Sequence, residues 1–128
     1  GRRWLCDTKE NAAAGFGLCL SAMDMAKIGQ LCVNNGKYNG KSIVSESWIT
    51  QMLMSHSFTE INSQKMKYGY LWWIIDAENK IYAAIGDSGN VIYIDAKDEI
   101  VVAIASSFKP SVHDRITFIQ HNILPYLW

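Results

Sequence analysis

Apolar residues recur at helical spacing early in the chain and crowd into strand-like runs later. Met25, Ile28, Leu31 and Cys32 share one face of a 3.6-residue period and predict a helix. Ser21 stands where an N-cap belongs, with Asp24 in the first turn to meet the helix dipole. Asn34-Asn35-Gly36 supplies residues that tolerate left-handed backbone at its end. Gly36 to Gly40 reads as a turn. A second helix opens at Ser45, with Glu46 behind it and Trp48, Ile49, Met52 and Leu53 as its apolar face. Residues 55–66 are polar and read as a surface loop.

From Lys67 the period changes. Tyr68 to Ile75 is rich in strand formers and reads as one strand, and Asp76 to Lys80 as a turn. Ile81–Ile85, Asn90–Ile94 and Ile100–Ala105 read as further strands, the last two joined through Asp95 to Asp98. The near-continuous apolar content of the last strand predicts burial on both faces. Pro110 and Ser111 open a final helix carrying Ile116, Ile119 and Ile123 on one side, and Pro125 ends or kinks it. Residues 1–20 are irregular. Short connections between consecutive strands make a meander, so the expected fold class is α+β: an antiparallel sheet of three to four strands packed with helices.

Composition changes this picture little. The 128 residues are 49% apolar and 19% charged, enough for one packed domain or part of one. Twelve basic residues balance twelve acidic ones, which gives no electrostatic reason to expect nucleic acid or an anionic membrane as partner. No run approaches the roughly 20 apolar residues of a bilayer span. Gly1-Arg2-Arg3-Trp4 lacks the apolar run of a signal peptide and an initiator Met, so the chain reads as a mature or excised piece. Cys6, Cys19 and Cys32 share no metal-ligand or redox spacing and read as small buried apolar side chains. His113 and His121 read as surface residues, with no carboxylate or cysteine at ligand spacing; no metal or cofactor is expected. Tyr70, Trp72 and Trp73 read as packing residues, one Trp facing the core and its neighbour the opposite side.

One polar knot stands out. Gly86-Asp87-Ser88-Gly89 precedes the strongest strand. Glycine for positive φ and Asp for local hydrogen bonds make a plain turn; the same residues also suit the edge of an active site. The chain contains a literal Ser-x-x-Lys, Ser106-Ser107-Phe108-Lys109, but it follows a strand and precedes Pro110. A nucleophile motif of that kind sits at a helix start, so the match reads as coincidence.

A longer pattern joins these pieces. "AAAGFGLCLSAMDMAKIGQLCVNNGKYNGKSIVSESWITQML", then "YGYLWW", then "VIYIDAKDEIVVAIAS", resembles in order and spacing the serine β-lactamase-like superfamily, especially its class C and esterase branch. The similarity runs over about residues 12–106. It implies a partial β-lactamase/transpeptidase-like fold and acyl transfer through a serine, with a Ser-x-x-Lys nucleophile pair and a Tyr-x-Asn or Tyr-x-Ser motif. Neither motif occurs at a fitting place. Only the third motif maps: Asp87, Ser88 and Gly89 stand in its position after Gly86, and Asn90 would supply an oxyanion-hole N–H. Asp87 departs from the family's Lys or His and cannot hold a substrate carboxylate as a cation does, whereas Asn90 resembles the Gln of ester- and amide-cleaving relatives. The resemblance thus implies that residues 1–128 are the C-terminal portion of a hydrolase acting on esters, amides, β-lactams or D-Ala peptides, inactive alone. The alternative is a non-catalytic β-lactamase-like binding module of the cell envelope. The resemblance further implies a small-molecule or peptide substrate in the full-length protein and an extracytoplasmic or cell-envelope setting, and a missing N-terminal half would leave a sheet edge exposed, from which a homodimer is expected.

Overall fold

The computed structural model describes residues 3–61, 64–86, 88–107 and 114–127. Strand β1 (Arg3–Trp4) pairs with β2 (Leu18–Cys19), and helix α1 (Ala22–Val33) follows. Strands β3 (Lys37–Tyr38) and β4 (Lys41–Ser42) form a small hairpin, and α2 spans Glu46–Leu53. Six strands then run consecutively: β5 (Ser57–Ile61), β6 (Gln64–Tyr68), β7 (Trp73–Asp76), β8 (Ile81–Ile85), β9 (Val91–Asp95) and β10 (Ile100–Ile104). Helix α3 (Arg115–Asn122) and a short 3-10 turn at Leu124–Tyr126 close the described chain.

The local signals explain the helices. Ser21 Oγ accepts the Asp24 backbone N–H at 3.1 Å, and Ser45 Oγ accepts that of Trp48 at 3.2 Å. Helix α1 ends through Asn35 (φ 51) and Gly36 (φ 82), as the Asn-Asn-Gly run predicts. Asn39 (φ 48) and Gly40 (φ 75) make the two-residue turn of the β3–β4 hairpin, both central residues having positive φ. The final helix starts later than expected. Its N-cap is Asp114, which accepts the Ile116 N–H at 2.9 Å, while Pro110 and Ser111 lie outside the described residues.

The large sheet is an antiparallel meander in the order β10-β9-β8-β7-β6-β5, six strands and not three to four. Two readings produced the lower count. Ser57–Ile61 and Gln64–Tyr68 pair antiparallel where a loop is expected over residues 55–66, and residues 55–60 are exposed, so no apolar face marks a strand there. The run Tyr68 to Ile75 is split by a reversal. Gly69 donates to Trp72 O at 2.8 Å, Tyr70 donates to Met52 O at 2.9 Å, and Leu71 takes φ 63. A Cβ at Gly69 would collide with the Met52 carbonyl, so glycine is what lets the chain turn against the end of α2.

The sheet has a core on each face. Ile92 and Ile94 pack with Met25, Cys32, Ile49 and Trp72 on the α1–α2 side. Ala83, Val91 and Tyr93 pack with Ile119 of α3 on the other. Strand β9 is therefore buried on both faces, whereas β10 is half-buried throughout, because β9 is interior and β10 is the outer strand. The expectation had placed this double burial in β10. Gly29 is where α1 meets the sheet: a Cβ there would stand 2.5 Å from Val101 Cγ1 and 2.9 Å from Ile92 Cγ2. Trp72 is buried and Trp73 half-buried against Tyr68, with ring centroids 4.6 Å apart. Trp48 and Tyr70 are corrections, since both are exposed and stack on each other, with His56 stacked on Tyr70 at 4.1 Å. Of the cysteines only Cys32 is buried; Cys6 and Cys19 are exposed, on the short β1–β2 lobe outside both cores. No helix among the described residues is long and apolar enough to cross a membrane.

Candidate functional site

The β8–β9 connection is a tight loop from Gly86 to Asn90. Gly86 N–H donates to Asn90 O at 2.9 Å, continuing the ladder, and Gly89 N–H donates to Gly86 O at 2.9 Å, closing the turn. Gly89 has φ 83, and the Arg115 guanidinium occupies the space that a side chain there would need. Asp87 lies outside the described residues.

The Asn90 carboxamide ties the loop down at two points. Its Nδ2 donates to Ser88 Oγ at 2.8 Å, and its Oδ1 accepts the Ser106 N–H at 2.9 Å, just past the end of β10. Arg115 Nη2 then donates to Ser106 Oγ at 2.9 Å. The structure thus joins Ser88, Gly89 and Asn90 with two residues that the sequence reading gave no such part, Ser106 and Arg115. Hairpin register was the available signal for Ser106, because Val91 faces Ile104 and the chains beyond them stay together. No comparable signal marks Arg115.

Two grooves meet at this loop on the α1 side of the sheet. One, of about 520 Å³, is lined by Leu18, Cys19, Leu20, Met25, Asn90 and Ala105 to Ser107. The other, of about 300 Å³, is lined by Gly15, Met25, Tyr68, Leu71, Ala84 to Gly86, Asn90 and Ile92. Asn90 and Met25 border both.

No activated nucleophile appears among the described groups of these grooves. Ser106 Oγ accepts from a guanidinium, which has no lone pair to take a proton, and itself donates to Ser107 O at 3.3 Å. Ser88 Oγ accepts from an amide. Phe108 and Lys109 of the literal Ser-x-x-Lys lie outside the described residues. A third groove, of about 410 Å³ and bordered by Cys32, Asn35, Ile49, Lys80 and Tyr82, lies apart from the loop. Burial pushes the Cys32 thiol up to about 11, so it stays protonated at neutral pH. His56 is exposed and bonded to Gln51 O at 2.7 Å, His121 is exposed, and His113 is outside the described residues. Among the described residues no group of three or more His, Cys, Asp or Glu is placed to hold a metal.

Burial raises the Asp114 carboxyl. Hydrogen bonds from the Thr117 side chain and from the Ile116 and Thr117 backbone, together with the Arg115 charge, outweigh that and hold it below the ordinary Asp value. This N-cap fixes the start of α3, and hence the position of Arg115.

No model of a known family matches the chain. A curated protein, the 6-aminohexanoate-dimer hydrolase of Paenarthrobacter ureafaciens, is 23% identical over 111 residues, which cover 79% of this chain and 28% of that protein. A solved structure described as "Putative 6-aminohexanoate-dimer hydrolase from Bacillus anthracis" superposes with a TM-score of 0.69 at 31% identity, covering 93% of this chain and 31% of that one. A family VIII carboxylesterase structure superposes at 0.54 with 21% identity, covering 69% of this chain and 26% of its own, a likeness of fold alone. The chain spans 28% of the curated relative and 31% and 26% of the two solved chains. Its six-stranded α+β fold is therefore similar to roughly the last-named shares, a quarter to a third, of hydrolases in the β-lactamase-like superfamily.

Proposed function

We propose that this chain forms one wall of the acyl-transfer cleft of a serine hydrolase, with the attacking serine supplied by polypeptide outside residues 1–128. The observation that carries the reading is the Gly86–Asn90 loop: a glycine-turned strand connection fixed by Asn90 where two grooves meet. Gly86 and Asn90 border the wall, Gly89 turns the chain between them, and the Asn90 N–H is the oxyanion donor. Ser88 and the Asn90 side chain shape the loop and do not attack. The hydrolase names of the similar proteins support the reaction class. Asp87 places an acid where this superfamily uses a cation, which favours esters or amides over β-lactams as substrates.

The test is labelling with a fluorophosphonate probe, applied to this chain alone and to the complete translation product of its gene. The chain alone is expected to stay unlabelled. The complete product is expected to carry the label on a serine outside residues 1–128. A complete product that resists labelling, or a label on Ser88 or Ser106, overturns the proposal; the first outcome favours a non-catalytic binding module.

A further inference from the structure

We infer that Arg115 is a positioning residue, which sets the geometry of the Gly86–Asn90 loop from the opposite side of the sheet. The inference deepens the proposed function and rests on it for its catalytic consequence. Its structural part stands on the contacts alone. Helix α3 packs through Ile119 on the face opposite α1, against Ala83, Val91 and Tyr93. Its first residue nevertheless reaches the loop that borders the α1-side grooves. The Arg115 guanidinium does two things there. It fills the space beside Gly89, where any side chain would collide with it. It also donates to Ser106 Oγ at 2.9 Å, while the Ser106 N–H donates to Asn90 Oδ1 at 2.9 Å.

Asn90 is thus held from both ends of its carboxamide, by Ser88 and by Ser106, and Ser106 is held by Arg115. Five donors on a rigid planar fork suit this double contact, and a lysine ammonium offers a point charge without the plane. The Asp114 cap fixes the first turn of α3 and so the place from which Arg115 reaches. An oxyanion donor is useful only when its N–H is already aimed, so the loop's order is the quantity that Arg115 controls. Arg115 does not itself line either groove and reaches the wall through Ser106, which does, and through its contact with Gly89.

Amide hydrogen exchange at Gly86 and Gly89, followed by NMR in this chain, tests the structural part. Arg115→Ala is expected to speed exchange at Gly89 by about tenfold, the loss of roughly one hydrogen bond to a charged group, with Ala83 and Tyr93 amides unchanged. Arg115→Lys is expected to recover only part of that protection. Ser106→Ala deletes the acceptor alone and covers the case in which an Arg115 variant fails to fold; it is expected to act in the same direction. Unchanged Gly89 exchange in both Arg115→Ala and Ser106→Ala overturns the inference. In the complete translation product, Arg115→Ala is expected to lower kcat about tenfold on an ester substrate with KM unchanged, since an aimed oxyanion donor acts in the transition state. An unchanged kcat overturns the catalytic consequence. A wild-type product with no hydrolysis, beside the expected exchange pattern, overturns the function proposed above and leaves the clamp standing.

Discussion

At the scale of single residues, Gly29 shows how small a space decides the packing. An added methyl would meet Val101 and Ile92, both β-branched and fixed in the sheet, at 2.5 and 2.9 Å. Alanine gains about 1 kcal/mol of helix propensity over glycine, whereas overpacking of this kind costs about 1–3 kcal/mol. The clash wins because the contacted methyls sit on β-branched side chains, which are stiff at χ1 and yield less than the end of a long flexible chain would. Gly29→Ala is therefore expected to destabilise the chain by up to about 2 kcal/mol on balance, read from the midpoint of urea unfolding. The sequence showed a glycine inside a helical pattern but not what it faced. The site was partly legible for the same reason. Gly86 and Gly89 announce a turn, and Asn90 was named for its backbone. Its side-chain bonds to Ser88 and Ser106, and the reach of Arg115, exist only once the sheet brings residues 88, 90, 106 and 115 together.

At the scale of elements, caps were legible and exposure was not. Ser21 and Ser45 act within three residues of themselves, so their chemistry is complete in the local sequence. Trp48 was assigned to the buried face of α2 because it is apolar, yet it lies outside both cores and stacks on Tyr70, a partner supplied by the Gly69 reversal. Strand β5 is exposed from Ser57 to Glu60 and prints no apolar face on the sequence, whereas β6 alternates half-buried Met66 and Tyr68 with exposed Lys65 and Lys67; Lys65 Nζ lies over the Phe58 ring at 3.6 Å. Helix α3 depends on the Asp114 cap, not on the Pro110-Ser111 start that the sequence suggests. Asp114→Ala is expected to cost about 1 kcal/mol by freeing the Ile116 N–H and the Thr117 hydroxyl. The sign of the pH effect follows from the depressed carboxyl. Its folded value lies below the unfolded Asp value of about 3.9, so the stabilisation is complete above that value and is lost as pH falls through the folded value. Asp76 adds to the same slope, lowered first by the Asn79 side chain and then by its backbone. Thermal melts followed by circular dichroism are expected to be flat from pH 7 to about 5 and to fall below about 4, with a shallower fall in Asp114→Ala.

At the scale of the whole molecule, the two outer strands of the sheet differ in kind. Strand β5 carries Ser57, Thr59 and Glu60 and faces a lysine-bearing neighbour, features that discourage pairing with a further strand. Strand β10 reads Ile100-Val101-Val102-Ala103-Ile104, with no charge and no proline, and among the described residues it pairs only with β9. Such an edge presents backbone donors and acceptors along one side and is a template for another strand. In this chain alone, the available cover is the same edge of a second copy, joined antiparallel about a two-fold axis. We propose that the chain dimerises in this way. Light scattering at tens of micromolar is expected to return about twice the chain's mass. Ile100→Lys, at the turn end of the edge and outside both core clusters, is expected to shift the midpoint of dimerisation to at least roughly tenfold higher concentration by placing a charge on an otherwise apolar edge strand. A wild-type chain that stays monomeric overturns the proposal, because the outward backbone groups of β10, unpaired among the described residues, are then satisfied without a second copy.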